Sequence, residues 1–99
     1  RSGENIASVE IENFLYTHSQ VLECAVIAVP DRRWGEVPRA LVVPKQGAEL
    51  TERDLIRYCR EGLARFKVPK YITFLDALPK TGSGKIVKAR LREIYATEE

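Results

Sequence analysis

The chain has no methionine, a single histidine, a single tryptophan and only two cysteines. Each scarcity closes off a class of chemistry. His18 alone cannot assemble a Ser/His/Asp or Cys/His catalytic set, and two cysteines with one histidine give no pattern of four zinc ligands. Two cysteines allow at most one disulfide, which is the lesser reading here. Cys24 lies in an apolar run and Cys59 on the apolar face of a helical pattern, so both read as buried free thiols in a cytoplasmic or other reducing compartment. Apolar runs stop at about eight residues, too short to span a bilayer. The charged and apolar regions of a signal peptide are missing from the start. A chain without methionine that opens on Arg1-Ser2-Gly3 reads as an excised fragment, a processed product or one domain of a larger protein.

What is present describes one small folded domain. With 99 residues, 44% hydrophobic and 30% charged, the chain has apolar content for a core and is not a disordered tail. Net charge is only +2, but its distribution is uneven. Residues 1–64 carry 8 basic and 10 acidic groups, whereas residues 65–92 carry 8 basic groups and one acidic, Asp76.

Periodicity gives the elements. Residues 8–18 predict a helix, with Ser8 as N-cap, Glu10 and Glu12 toward its positive end, and Ile11, Phe14, Leu15 and His18 on one face. Residues 22–29 and 39–43 predict strands joined by a loop, Asp31 to Val37, as an antiparallel pair. Thr51 to Asp54 reads as a capping box opening an amphipathic helix over 52–64. Residues 71–75 predict a third strand. A last helix over about 86–95 would turn Val87, Leu91 and Ile94 or Tyr95 inward. The order α-β-β-α-β-α predicts an α+β fold, a small three-stranded sheet with covering helices.

Three stretches hold residues suited to chemistry. Pro79-Lys80-Thr81-Gly82-Ser83-Gly84-Lys85 is glycine-rich and basic, but it fails the P-loop pattern: Pro79 stands where glycine is needed, and Ile86 where Ser or Thr is needed. Physical chemistry alone reads it as a flexible basic arm or a plain solvated turn. The basic stretch 65–92, with aromatics at Phe66, Tyr71 and Phe74, suits phosphate contacts or an ordinary charged surface. Trp34, beside Gly35, is either a cap on the core or a stacking platform, the cap being the simpler reading. His18 reads as structural.

Taken in order, the segments SGENIASVEIE (2–12), AVIAVPDRRWGEVPRALVVPK (25–45) and LARFKVPKYITFLDALPKTGSGKI (63–86) resemble the C-terminal domain of the adenylate-forming enzymes. That family comprises acyl-CoA synthetases, luciferase and peptide-synthetase adenylation domains. The likeness covers essentially all of residues 1–99, and Gly3-Glu4-Asn5-Ile6 with Arg33-Trp34-Gly35-Glu36 resembles the acyl-CoA or aryl-CoA ligase branch. The resemblance implies a lid domain that rotates between two half-reactions, forming acyl-AMP from a carboxylic acid and Mg·ATP and then transferring the acyl group to coenzyme A. It implies Lys85 as the adenylation lysine, Thr81, Gly82, Ser83 and Gly84 as its nucleotide loop, and Ser2, Gly3 and Glu4 along the pantetheine tunnel. It further implies Trp34, Phe66 and Lys70 beside the CoA nucleotide. Val68 stands where some relatives carry a basic residue. ATP, Mg2+ and CoA would serve the parent enzyme and none would bind the segment alone. The partner would be an N-terminal domain of the same parent, with no nucleic acid, resident metal or membrane span. Alternatives are the lid of a luciferase-like or carrier-protein-loading adenylase and, from a different class, a small basic nucleic-acid-binding module.

Overall fold

A computed structural model describes residues 6–96. Helix α1 spans Ile6–Leu15, followed by strands β1 (Val21–Asp31) and β2 (Gly35–Pro44) and helix α2 (Glu52–Gly62). A 3₁₀ turn at Arg65–Lys67, strand β3 (Tyr71–Phe74) and helix α3 (Lys88–Tyr95) complete the chain. The strands form one sheet in the order β1-β2-β3, antiparallel between β1 and β2 and parallel between β2 and β3. The expected α+β fold and element order are therefore found.

Both faces of the sheet are covered, which is why β1 and β2 read as continuous apolar runs rather than as alternating ones. On one face Cys24, Val26, Ala40 and Val42 pack with Ile11 and Leu15 of α1 and Leu55 and Cys59 of α2. On the other, Ala25, Ile27, Leu41 and Val43 pack with Leu78 and with Leu91 of α3. Neither cysteine is in a disulfide. Burial pushes the Cys24 thiol up to about 12 and the Cys59 thiol up to about 11, so both stay protonated and inert.

The free edge of β1 is closed by side chains. The backbone N–H of Val26 donates to the Glu12 carboxylate at 2.8 Å, and Lys88 Nζ meets the same oxygen at 2.5 Å. The Tyr16 hydroxyl serves both the N–H and the carbonyl of Cys24, at 3.2 and 3.3 Å. Pro30 shares this outward parity, so its missing N–H removes nothing from the ladder. At the opposite edge, Ile72 N–H faces Glu52 at 3.4 Å.

Several boundaries differ from expectation for local reasons. α1 begins at Ile6, so Ser8 sits inside the first turn and is not its cap. It ends at Leu15, short of His18, where Thr17 Oγ1 donates to the Phe14 carbonyl at 2.5 Å and His18 N–H tightens onto the Leu15 carbonyl. Glu10 and Glu12 lie beyond the first turn and pair instead with Lys67 and Lys88. β2 starts at Gly35 rather than at 39, because pairing continues to Asp31↔Gly35 and the connecting turn shrinks to 32–34. Gly35 makes that turn possible with φ +84°, a region that opposes any side chain. α3 starts at Lys88, because Ile86 is bridged to Lys80 and Val87 N–H is held by the Pro79 carbonyl. The capping box at Thr51 and Asp54 forms as expected. His18 is structural, its Nδ1 accepting Gln20 N–H and its ring edge on Tyr58.

Of the inward candidates on α3, Leu91 is fully buried and Tyr95 packs on the second core, while Ile94 is 54% exposed. Replacing Leu91 by Ala is expected to cost about 2–5 kcal/mol in urea unfolding. The same change at Ile94 is expected to fall within about 0.5 kcal/mol of the unaltered chain.

Candidate functional site

The glycine-rich segment is not a loose arm. It is a tight hairpin closed at its base by the Lys80↔Ile86 bridge. Thr81 N–H donates to the Lys85 carbonyl at 2.8 Å and Gly84 N–H to the Thr81 carbonyl at 2.9 Å. The Thr81 hydroxyl accepts Lys85 N–H at 3.1 Å and lies 3.0 Å from the Ser83 hydroxyl. Gly84 takes φ +90°, which only glycine adopts without strain. Thr81, Gly82, Ser83 and Gly84 thus form one exposed turn, with Lys85 exposed at its end.

Lysine pairing separates Lys85 from its neighbours. Lys67 pairs with Glu10 at 2.6 Å, Lys70 with Asp31 at 2.7 Å and Lys88 with Glu12 at 2.5 Å, and Lys80 pairs with Glu23. Of the five lysines between 67 and 88, Lys85 is the one that makes no ion pair among the described residues. The basic stretch 65–92 is therefore not a continuous cationic face, because acidic residues of α1 and β1 fold onto most of its lysines.

A second exposed feature lies at the far end of β1. The Asp31 carboxylate, itself buried, accepts N–H from Arg33 at 3.0 Å and from Trp34 at 2.8 Å, and so shapes the 32–34 turn. Lys70 Nζ donates to its other oxygen. Trp34 is 66% exposed and does not cap the core, and Phe66 is 78% exposed. Between them runs an open groove of about 630 Å³, whose lining includes Val37 and Val68 together with the charged Arg65, Lys70 and Glu36. Trp34, Phe66 and Lys70, separate in sequence, are thereby brought together. Arg65 and Asp31 were not singled out by the sequence. Arg65 was one cation among many, while an Asp two and three residues before turn amides is a recognisable turn signal.

The hairpin and the groove occupy opposite ends of β1. Lys80 reaches Glu23 near the start of the strand, and the groove follows Asp31 at its end. Between those residues the strand runs about 25 Å at ~3.3 Å per residue. Ser2, Gly3 and Glu4 lie outside the described residues. Among the described residues no three His, Cys, Asp or Glu side chains cluster as a metal site, and no helix is long and apolar enough to cross a membrane.

The Asp31–Lys70 pair carries a pH signature. The Lys70 ammonium, then the Trp34 N–H, hold the Asp31 carboxyl below its ordinary 3.8, while Asp31 raises Lys70 above 10.5. A lowered carboxyl favours the folded chain above its unfolded value, and that contribution is lost as pH falls through the folded value. The raised ammonium contributes below its unfolded value and is lost as pH rises through the folded one. Unfolding of Asp31→Asn beside the unaltered chain is expected to show a stability deficit near neutral pH that closes below about pH 4.

Comparison with known proteins agrees with this architecture. Residues 10–85 match the family model of the AMP-binding enzyme C-terminal domain. A probable CoA ligase of Humulus lupulus is 53% identical over 97 residues, covering 96% of this chain and 17% of that protein. A peroxisomal butyrate–CoA ligase of Arabidopsis thaliana is 50% identical, covering 93% and 17%. Among solved structures, a fatty acyl CoA synthetase of Mycobacterium tuberculosis superposes with a TM-score of 0.84 at 41% identity, over 92% of this chain and 18% of that one. MatB of Rhodopseudomonas palustris in its apo form gives 0.87 at 39% identity, over 95% and 19%. The chain spans about a sixth of the length of these relatives and belongs to the AMP-binding enzyme C-terminal domain family.

Proposed function

We propose that residues 1–99 are the mobile C-terminal lid of an ATP-dependent, AMP-forming acyl-CoA ligase, and that the lid supplies Lys85 to the adenylation step. The observation that carries this reading is the exposed Lys85, without an ion pair among the described residues, on an internally bonded hairpin beside lysines that are paired. A surface lysine that makes no ion pair among the described residues is available to an anion on another domain.

The chemistry needs such a cation. A carboxylate oxygen of the acid attacks the α-phosphorus of ATP, the bond to the β-phosphate bridge breaks, and pyrophosphate leaves. Negative charge builds on the oxygens around phosphorus as this happens. A lysine set against them stabilises the transition state more than the ground state. In the second step the CoA sulfur attacks the acyl carbonyl and AMP leaves. The aromatic groove formed by Trp34 and Phe66, with Arg65 at its border, suits a nucleotide: the rings offer stacking faces and the guanidinium a phosphate partner. Lys70 contributes with its charge already balanced by Asp31. Ser2, Gly3 and Glu4 would line the pantetheine passage. The separation of hairpin and groove along β1 supports a lid that presents one end for adenylation and the other for thioester formation.

The acyl pocket, and the carboxylates that would hold Mg2+ with ATP, are assigned to the N-terminal domain of the parent, and the isolated lid is expected to be inactive. The two buried free thiols support a reducing compartment. The pairing of four lysines removes much of the charge that a nucleic-acid-binding module would use.

The test uses the full-length parent with butyrate, benzoate and trans-cinnamate, acids named for its relatives. Lys85→Ala is expected to lower ATP–pyrophosphate exchange by about 10²–10³ while leaving thioester formation from supplied acyl-AMP intact. Persistence of exchange would remove Lys85 from the reaction. Joint replacement of Trp34 and Phe66 by Ala is expected to raise the KM for CoA about tenfold or more, with exchange unchanged. An unchanged KM would detach the groove from CoA.

A further inference from the structure

The hairpin bearing Lys85 is gripped on both sides. Lys80, on its entering leg, pairs with Glu23 of β1. Lys88, just past its leaving leg, pairs with Glu12 of α1, whose carboxylate also holds the Val26 N–H of β1. Lys88 and Glu12 are only 11% and 14% exposed in their side chains, so solvent screens this pair weakly. The outer pair, Lys80 and Glu23, is more open at 37% and 26%. Glu23 belongs to the edge strand β1 and Glu12 reaches that strand from α1, and both lysines flank the turn whose Lys85 makes no ion pair among the described residues.

Backbone bonds alone would not aim this turn. The bridge between Lys80 and Ile86 and the Val87 N–H to Pro79 carbonyl bond close the hairpin on itself. Leu78, just before the hairpin, is buried in the second core, and Ile86, on its leaving leg, packs against that core and seats the base of the hairpin. The two ion pairs add a tie to each leg at the β1 side.

We infer that Glu23–Lys80 and Glu12–Lys88 form a two-point clasp that positions Lys85 for adenylation. The four residues are positioning residues. They never touch the substrate, and they act by limiting where the Lys85 ammonium can be when the lid closes. A misplacement of about 1 Å in such a group can cost about a hundredfold in rate. This inference rests on the adenylation role of Lys85 proposed above.

The experiment again uses the full-length parent. Glu23→Gln with Lys80→Gln opens the outer pair without burying a lone charge. Glu12→Gln with Lys88→Met opens the inner pair, with Gln still able to accept the Val26 N–H. Hydrogen–deuterium exchange reads the Thr81 and Val87 amides, which should exchange about tenfold faster in either variant. Exchange of ATP and pyrophosphate should fall about tenfold or more in kcat, with the KM for ATP unchanged and thioester formation from acyl-AMP untouched. Lys88→Arg, and the reversed pair Glu23→Lys with Lys80→Glu, should restore adenylation. Against a Lys85→Ala background, opening the clasp should lower adenylation no further.

A merely structural role would depress both half-reactions together, or would add its full factor on top of Lys85→Ala, and either result overturns the clasp. Unchanged amide exchange and unchanged adenylation in the outer-pair variant overturn it as well, whether or not the inner-pair variant folds. If Lys85→Ala itself leaves adenylation intact, the reading of Lys85 fails and the clasp has nothing to position. If Lys85→Ala abolishes adenylation while the clasp variants do not impair it, the clasp alone fails.

Discussion

The structure hangs on how a three-stranded sheet satisfies its own edge. With strand order β1-β2-β3, β1 has no partner on its outer side, and its outward N–H and C=O groups need acceptors and donors. Glu12 and Tyr16 from α1 supply them, at Val26 and Cys24. The Glu12 carboxylate then needs a counter-charge in its partly buried position, and Lys88 brings one from the helix on the opposite face. One carboxylate therefore joins both layers of the molecule around a strand edge. At Cys24 and Val26 the strand's outward groups are thereby withheld from another chain.

The same arrangement organises the surface. Drawing α3 to the β1 edge brings the preceding hairpin there too, where Lys80 finds Glu23. At the other end of β1, Asp31 shapes the following turn and fixes Lys70, and Trp34 and Phe66 are left standing out from the core. Each carboxylate along this strand thus shapes a piece of surface and neutralises a lysine. At one end stands Lys85 on its hairpin, without an ion pair among the described residues, and at the other the aromatic groove. A domain built this way can offer two chemically different ends without changing its internal structure, because the strand between them is buried on both faces.

Much of the fold was legible. The apolar runs around Cys24 to Val29 and Leu41 to Val43, the capping box at Thr51 and the stripe through Leu55 and Cys59 each state a local preference that packing then rewards. Boundaries were less legible. The end of α1, the early start of β2 and the late start of α3 depend on the Thr17 hydroxyl, on strand pairing down to Gly35 and on the hairpin bridge at Ile86. Ser8 and the first-turn acids looked like capping chemistry because their spacing allowed it, but the helix begins earlier and its glutamates face distant lysines.

The sequence by itself determined the class of fold, the buried thiols, and the ordered motifs ending in Lys85 that carry the family resemblance. These follow from local periodicity, from turn chemistry and from residue order, none of which needs distances. It also presented eight basic groups in 65–92 as equivalent, and Trp34 as a cap. Only the tertiary structure decided which lysines are neutralised, that Trp34 faces solvent opposite Phe66, and that the hairpin is held on both legs. The physical reason is that ion pairs and stacking faces depend on separation in space. Lys80 and Glu23 are 57 residues apart in sequence and in contact once the sheet has formed.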